Sequence, residues 1–477
     1  MKKINYLIIG GGIAGTTAAE TIRRHDPVGS MAIVSDEPYR LYSRIMLSKP
    51  NFFLEKIPFD QIWLKKESWY AENNIQVILG KSAVKLNPQA KIVTLNTGEE
   101  LEYEKLLLAV GGCARRWDLP GAERRGIFYL RTLDDAKAIM TAVNPVRTDT
   151  SRLAEGGIES PPLISALTVD PLRHSFSEAS RSKRRSNGVK TARHAVAIGG
   201  GFVSFEMCDM LRLAGIDVTL LLRESYFWEP VLDETSGRMI EAALEKGGVK
   251  IMRNTEVGKI IGQDRVEAVE INGGKKIACD MLIVGIGVFC PLAWLEVAGV
   301  KVGRGILANE YLEINFPYIW VAGDAAEFKD LILGEQIQLG NWVNAQMQGR
   351  IAGMNMSGSL DPLRPQSEAS KLRTRKEPFR MVSFYTTIGF GITIAFVGDV
   401  RPMEGRTIIL RGSADAGSYV RVIVKGGEII GATLINRTQE LGPISKLIEK
   451  DFKIAGREKE LADTSFDLKK LIENLKS

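Results

Sequence analysis

Two stretches of the chain repeat one pattern of apolar and polar positions. Each begins with a short unbroken apolar run, crosses a glycine cluster and continues at helical period. In the first, Ile4–Ile9 predicts a buried strand, Ile13–Arg24 a helix and Met31–Ser35 the next strand. In the second, Ala195–Ile198 leads into a helix over Phe202–Leu213, closed by Ala214-Gly215, and a returning strand over Asp217–Leu222. Apolar runs without alternation suit parallel strands covered on both faces. Ile75–Leu95 alternates like sheet, and Glu104–Val110, Met281–Gly287 and Ile319–Ala322 read as further buried strands. A helix is expected from about Asn341 to Met356, with Ala345, Gly349, Ala352 and Gly353 spaced for close packing.

From about Lys371 the pattern changes. Ser418–Lys425 and Glu428–Asn436 alternate around Gly426-Gly427, which predicts a hairpin. The tail from Leu441 reads as helical, and the apolar stretch Phe384–Val397 is too short to span a bilayer and reads as a buried hairpin. Asn144–Arg193 differs from both patterns, with eight Ser, four Pro and nine Lys/Arg against five Asp/Glu, including Arg181-Ser182-Lys183-Arg184-Arg185. Such composition predicts a basic insertion or long surface loop.

The chain has 477 residues, 45% hydrophobic and 25% charged, which allows about three domains with large cores. A net charge of +6 is too modest to argue for nucleic acid. The four cysteines, Cys113, Cys208, Cys279 and Cys290, show no C-x-x-C or C-x4-C spacing, so no zinc or Fe–S set is expected, and a reducing cytoplasm fits. Met1-Lys2-Lys3 runs into the first glycine cluster without a small-residue cleavage site and reads as strand, not signal peptide.

The chemistry starts at the glycines. Gly10-Gly11-Gly12-Ile13-Ala14-Gly15 and Gly199-Gly200-Gly201-Phe202-Val203-Ser204 each follow a strand and open a helix. Backbone N–H groups at a helix N-terminus must approach phosphate oxygens, and a Cβ blocks that approach. Gly10, Gly12 and Gly15 supply the full pattern; the second site has Gly199 and Gly201, with Ser204 at the third place. Asp36 stands 26 positions after Gly10, near the spacing at which an acid accepts from a ribose hydroxyl. Two dinucleotides held at once suggest hydride transfer between them. The fold class is α/β, with two Rossmann-like units and a C-terminal α+β domain.

These residues resemble the two-dinucleotide FAD/NAD(P)-dependent pyridine nucleotide-disulfide oxidoreductase superfamily, with a glutathione-reductase-like fold. The branch without a catalytic disulfide is the nearer likeness: ferredoxin and rubredoxin reductases, the flavoprotein part of nitrite reductases, and apoptosis-inducing factor. The likeness rests on Asp36-Glu37-Pro38-Tyr39-Arg40-Leu41-Tyr42-Ser43-Arg44-Ile45-Met46-Leu47-Ser48-Lys49, on Leu107–Gly112, on Ile127–Ala136 and on Val321-Ala322-Gly323-Asp324. It implies FAD at the first fingerprint, with Gly10, Gly12, Ile13, Ala14, Gly15, Asp36, Glu37, Arg44, Lys49, Ala83, Val84, Ala109, Gly111, Gly323, Asp324 and Trp342 around it. It implies NADH or NADPH at Gly199, Gly201, Phe202, Val203, Glu206, Arg223 and Gly287. By the same resemblance Lys49 lies near flavin N5 and pairs with Glu206, Arg44 meets the pyrophosphate, and Trp342 stands beside the isoalloxazine; these three, Lys49, Glu206 and Trp342, are the candidate catalytic residues.

Arg40–Lys49 contains no cysteine where disulfide reductases carry a pair. The resemblance therefore implies electrons passing straight from the flavin to a small carrier such as a rubredoxin or ferredoxin. Arg223 favours a 2′-phosphate and Glu224 a free ribose hydroxyl, which leaves the nicotinamide nucleotide open. An NAD(P)H oxidase, a flavoprotein subunit of a larger reductase, and a redox-switched interaction protein are the other readings. No siroheme or Fe–S module is expected after residue 357. The expected division is 1–140 and 286–357 for FAD, 141–193 for the insertion, 194–285 for NAD(P)H, 358–371 for a linker and 372–477 for the C-terminal domain, with homodimerisation through the last left open.

Overall fold

The computed structural model describes residues 3–54, 58–143, 192–358, 376–401 and 403–473. Residues 144–191 of the expected insertion and 359–371 of the expected linker lie outside them. Lys3–Ile9 forms the middle of a seven-stranded sheet, parallel to Met31–Ser35 on one side and Glu100–Leu108 on the other. Leu7 and Ile8 are fully buried because both faces of this strand are covered. Ile75–Leu79 extends the sheet beyond Met31–Ser35, and Ile319–Val321 joins it in parallel beside Glu100–Leu108. The alternating stretch resolves into Ile75–Leu79, Ala83–Asn87 and Ile92–Leu95, the last two in an antiparallel ribbon.

A second, five-stranded parallel sheet runs Val249–Met252, Asp217–Leu221, His194–Ile198, Met281–Val284 and Ile127–Phe128. Ile127–Phe128 falls within the stretch expected for the first unit, yet its hydrogen bonds complete the second sheet. The strand expected over Met281–Gly287 stops at Val284; Gly287 has φ +96°, and Val288–Phe289 turns to pair with Cys113–Ala114 in a connecting ribbon.

The helix Trp342–Ser357 lies on the first fingerprint helix, Ile13–His25. Its small residues set the distance: a Cβ on Gly349 would stand 2.2 Å from the Ala14 carbonyl oxygen, and one on Gly353 2.8 Å from that of Ala18. This contact brings both ends of the chain's first unit together around the first glycine cluster. A five-stranded antiparallel sheet follows in the C-terminal part, in the order Phe384–Gly389, Ile392–Gly398, Glu428–Ile435, Ser418–Lys425, Arg406–Ser413. Gly426 and Gly427 both have positive φ, +59° and +81°, as a two-residue hairpin turn requires. Leu441–Glu449 buries Ile444, Leu447 and Ile448 against this sheet.

Candidate functional site

Each glycine cluster closes against the end of a neighbouring strand. Gly10 has φ +115°, and a Cβ there would lie 2.0 Å from the Ala109 carbonyl oxygen; Gly199 has φ +100° and stands in the same relation to Gly285, at 2.3 Å. Gly15 is closed in as well, its virtual Cβ 2.1 Å from the Gly10 oxygen. Ser204, at the corresponding place of the second cluster, is fully buried and donates to the Ile198 carbonyl at 3.1 Å. Gly285 makes room for that hydroxyl, since a Cβ there would fall 2.4 Å from Ser204 Oγ.

Gly12 and Gly201 are different. Both have extended backbone open to any residue, and a Cβ on either would meet nothing within 4 Å. Neither packing nor backbone geometry within the chain demands glycine there. Each is also the N-cap of its helix and makes no side-chain capping bond, so the first-turn N–H groups are left for an anion. This is the form of a pyrophosphate cradle, and both clusters have it. Ile13, Phe202 and Val203, on the first turns, are half-buried beside these openings.

Around the first cradle the chain gathers distant segments. Gly323 sits against Ala14, and Gly340 against the Asp324 carboxyl. Arg131 donates to Asp324 at 2.9 Å and reaches to 3.2 Å from where a Gly111 Cβ would be. Its carbonyl accepts from Arg44 at 3.1 Å, and Arg44 pairs with Glu37 at 2.7 Å. Glu37 is buried and also accepts from Tyr42 at 2.7 Å, whereas Asp36 is exposed at the end of Met31–Ser35. Gly80 and Lys81 donate to the carbonyls of Glu37 and Ser35, which brings the start of Ala83–Asn87, with Ala83 and the exposed Val84, beside that corner. Arg131 Nε and Trp342 Nε1 are buried with no hydrogen-bond partner. Buried donors of this kind call for an acceptor, and a cofactor with phosphate, ribityl and ring oxygens supplies several. The residues present fit FAD.

Glu206 joins the two units. It occupies the helix Phe202–Leu213, is 3% exposed, and accepts from Lys49 Nζ at 2.5 Å. Ser48 also donates to it, as do Thr387 Oγ1 at 2.8 Å and Tyr385 at 3.2 Å. Burial, then the Glu206 carboxylate, pushes the Tyr385 phenol well above its ordinary range, so it stands here as a donor. Lys49 ends the turn Arg44–Ser48 and precedes the short helix Pro50–Phe53, with its side chain 21% exposed. Next to Glu206 on the same helix, Phe202 packs on Tyr385 (centroids 3.6 Å) and on Trp228 (4.1 Å). The C-terminal sheet thus covers Glu206 and the Phe202 end of the second fingerprint helix.

Sequence reasoning did not assign Arg131, Ser48, Tyr385 or Thr387. Arg131 had a signal, as a cation directly after the apolar run Ile127–Leu130; the two C-terminal hydroxyls had none. Arg223 is largely exposed and pairs with Glu224 at 2.9 Å, so both residues weighed for the nucleotide's ribose stand together after Asp217–Leu221. All four cysteines are free thiols; Cys290 reaches the Asp324 carbonyl at 3.5 Å, and burial, then Asp324, raises its pKa. Among the described residues there is no cluster suited to a metal and no helix long and apolar enough to cross a membrane.

The chain matches the family model described as pyridine nucleotide-disulphide oxidoreductase over residues 4–349, and one described as reductase C-terminal over residues 389–472. The ferredoxin–NAD(+) reductase component of the biphenyl dioxygenase system of Paraburkholderia xenovorans is 27% identical over 98% of this chain and 97% of its own length. Nitrite reductase [NAD(P)H] of Bacillus subtilis is 24% identical over 95% of this chain, which spans 48% of that protein. A ferredoxin reductase from Rhodopseudomonas palustris has the same fold, with a TM-score of 0.79 at 23% identity, covering 98% of this chain and 99% of that one.

Proposed function

The chain belongs to the pyridine nucleotide-disulphide oxidoreductase family, and on that premise we propose that it is an FAD-dependent NAD(P)H oxidoreductase serving a small electron-carrier protein, a ferredoxin or rubredoxin, in the cytoplasm. The observation that carries this reading is the Lys49–Glu206 pair, which joins the segment after the first cradle to the helix of the second. Four unpaired thiols, none within Arg40–Lys49, support a route without a disulfide relay in a reducing compartment.

When bound, FAD supplies a two-electron acceptor for hydride from nicotinamide and passes electrons on singly. Gly12 and the first turn of Ile13–His25 would hold its pyrophosphate, and Asp324 and Arg131 would line the space beyond. Gly201 and the first turn of Phe202–Leu213 would hold that of NAD(P)H. Lys49 places a fixed positive charge between the two, where it opposes negative charge gained on reduction. Ser48, Tyr385 and Thr387 keep Glu206, and through it Lys49, in one orientation. Phe202, Tyr385 and Trp228 exclude water from this side. We assign FAD to the parts expected at 1–140 and 286–357, with residues after Ile127 packed on the nicotinamide unit.

Anaerobic stopped-flow absorbance tests this reading. NADH or NADPH should bleach the bound flavin within milliseconds to seconds, and turnover should rise sharply on adding ferredoxin or rubredoxin. Purified protein that holds no flavin would refute the proposal, and so would bleached flavin that reduces O2 as fast as either carrier.

A further inference from the structure

A buried carboxylate stands behind the loop that follows the strand Asp217–Leu221. Glu241, on the helix Glu234–Lys246, is 1% exposed and shares the buried face of that helix with Gly237, Ile240 and Leu244. An apolar side chain would fill this place without electrostatic cost, whereas a buried carboxylate must be matched by donors. One of its oxygens accepts from the Phe227 N–H at 2.8 Å. The other accepts from Arg253 at 2.8 Å and from Arg238 at 2.9 Å. Both arginines also reach an exposed acid, Glu245 and Glu234 respectively. The Phe227 N–H has Glu241 as its one partner among the described residues.

That bond fixes the middle of the loop Arg223–Trp228. At one end stand Arg223 and Glu224, where a Rossmann unit meets the ribose of its nucleotide. At the other end Trp228 has φ +68°, a conformation in which a bulky residue is strained and persists only when its surroundings hold it. Its backbone nitrogen lies 3.0 Å from where a Gly200 Cβ would be, and its ring packs on Phe202 at the start of the second fingerprint helix. The loop therefore walls the second cradle. Its back rests on Gly237, where a Cβ would fall 2.8 Å from the Phe227 carbonyl oxygen and 2.7 Å from the Tyr226 ring.

We infer that Glu241 is a positioning residue for the nicotinamide nucleotide. Through the Phe227 N–H it holds Arg223, Glu224 and Trp228 at the places from which they meet NAD(P)H, an inference that rests on the functional reading above. Because Glu241 lies behind the loop, it sets nucleotide affinity and leaves flavin binding and the rate at saturation unchanged.

Calorimetric titration of the full chain with NAD+ and NADP+, beside reduction kinetics with NADH and NADPH, tests this. Glu241→Met should keep its flavin and its limiting rate, while Kd and KM for the preferred nucleotide rise about tenfold, as expected from the loss of one hydrogen bond to a charged group. Glu241→Gln keeps an oxygen for the Phe227 N–H and should stay within about threefold of the parent. Gly237→Ala favours the helix but pushes the loop away from it, and should weaken binding as Glu241→Met does. A folded Glu241→Met with the parent's Kd, a Glu241→Gln as weak as Glu241→Met, or a fall in limiting rate at unchanged KM would overturn the inference. Should Glu241→Met fail to fold, Gly237→Ala decides, and an unchanged Kd there counts against the inference. A parent protein that binds neither NAD+ nor NADP+ would instead refute the functional reading itself.

Discussion

Thr387, on the C-terminal sheet, donates a 2.8 Å hydrogen bond to Glu206, on the helix of the second glycine fingerprint. The two residues are 181 positions apart, and Glu206 is nearly inaccessible to water. A hydrogen bond from a buried donor to a carboxylate contributes about 1.5–3 kcal/mol. Thr387→Val, equal in shape, should destabilise the protein by about 2 kcal/mol, with Thr387→Ser restoring most of it. Denaturant unfolding of the three proteins checks this; a neutral Thr387→Val would mean that Ser48, Lys49 and Tyr385 satisfy Glu206 without it.

Lys49 gives a second test, because its removal strands a buried acid. Lys49→Met should cost about 3–5 kcal/mol, and Lys49→Met with Glu206→Gln should recover much of that loss. The same single variant should keep FAD, by absorbance after purification, while its reduction by NAD(P)H slows about tenfold or more. An unchanged reduction rate would remove Lys49 from the proposed chemistry.

Gly10 and Gly12 should separate folding from cofactor binding. Gly10→Ala puts a Cβ 2.0 Å from a carbonyl oxygen at a positive φ, so it should fold poorly. Gly12→Ala meets no protein atom and should give native circular dichroism, yet it should lose most of its flavin. Gly201→Ala is the matching variant for NAD(P)H, with its effect in KM. A Gly12→Ala protein with full flavin content would contradict the cradle.

Arg223 and Glu224 set up a test of nucleotide choice. Arg223→Ala should lower kcat/KM for NADPH about tenfold and leave NADH nearly unchanged, since the lost group is the partner of a 2′-phosphate. Steady-state kinetics with both nucleotides decides, and a parallel fall for the two would assign Arg223 a structural part only.

Asp399 predicts an acid dependence. Burial alone would raise its carboxyl, but hydrogen bonds from Arg401 and Arg406 prevail and hold it down to about 2. A depressed folded pKa means stability that is fully present above the unfolded value, near 4, and lost as pH falls toward 2. The contribution is roughly 2 kcal/mol. Wild type should lose that much more than Asp399→Asn between pH 5 and pH 2, measured by denaturant midpoint; equal slopes would refute the pairing.

Much of the framework could be read from the chain, and the reasons are local. The helix Phe202–Leu213 and the strand Met31–Ser35 appear with the bounds their sequence predicts, because glycine caps and unbroken apolar runs act over a few residues. The start at Trp342 follows from Asn341, whose side chain accepts from the Asn344 N–H. Ends set by neighbours were less legible. Glu100–Leu108 begins four residues before the expected Glu104, since pairing with Ile92–Leu95 recruits residues whose own pattern is polar. Ile127–Phe128 is too short to carry a signal and is a strand only because Leu282 and Ile283 lie beside it.

By itself, then, the sequence determined two strand–glycine–helix units, the absence of cysteine between Arg40 and Lys49, and the hairpin at Gly426-Gly427. Each depends on backbone preferences or residue identity within a short window. The family resemblance paired Glu206 with Lys49 alone, and tertiary structure decided what else surrounds it. Ser48 and Lys49 arrive from 158 and 157 positions away, Tyr385 and Thr387 from 179 and 181. Arg131 and Asp324 meet across 193 positions. Such pairs form when separate hydrophobic cores pack and expel water, so that a buried charge must find its donors in whatever elements are brought alongside. No local spacing encodes that meeting.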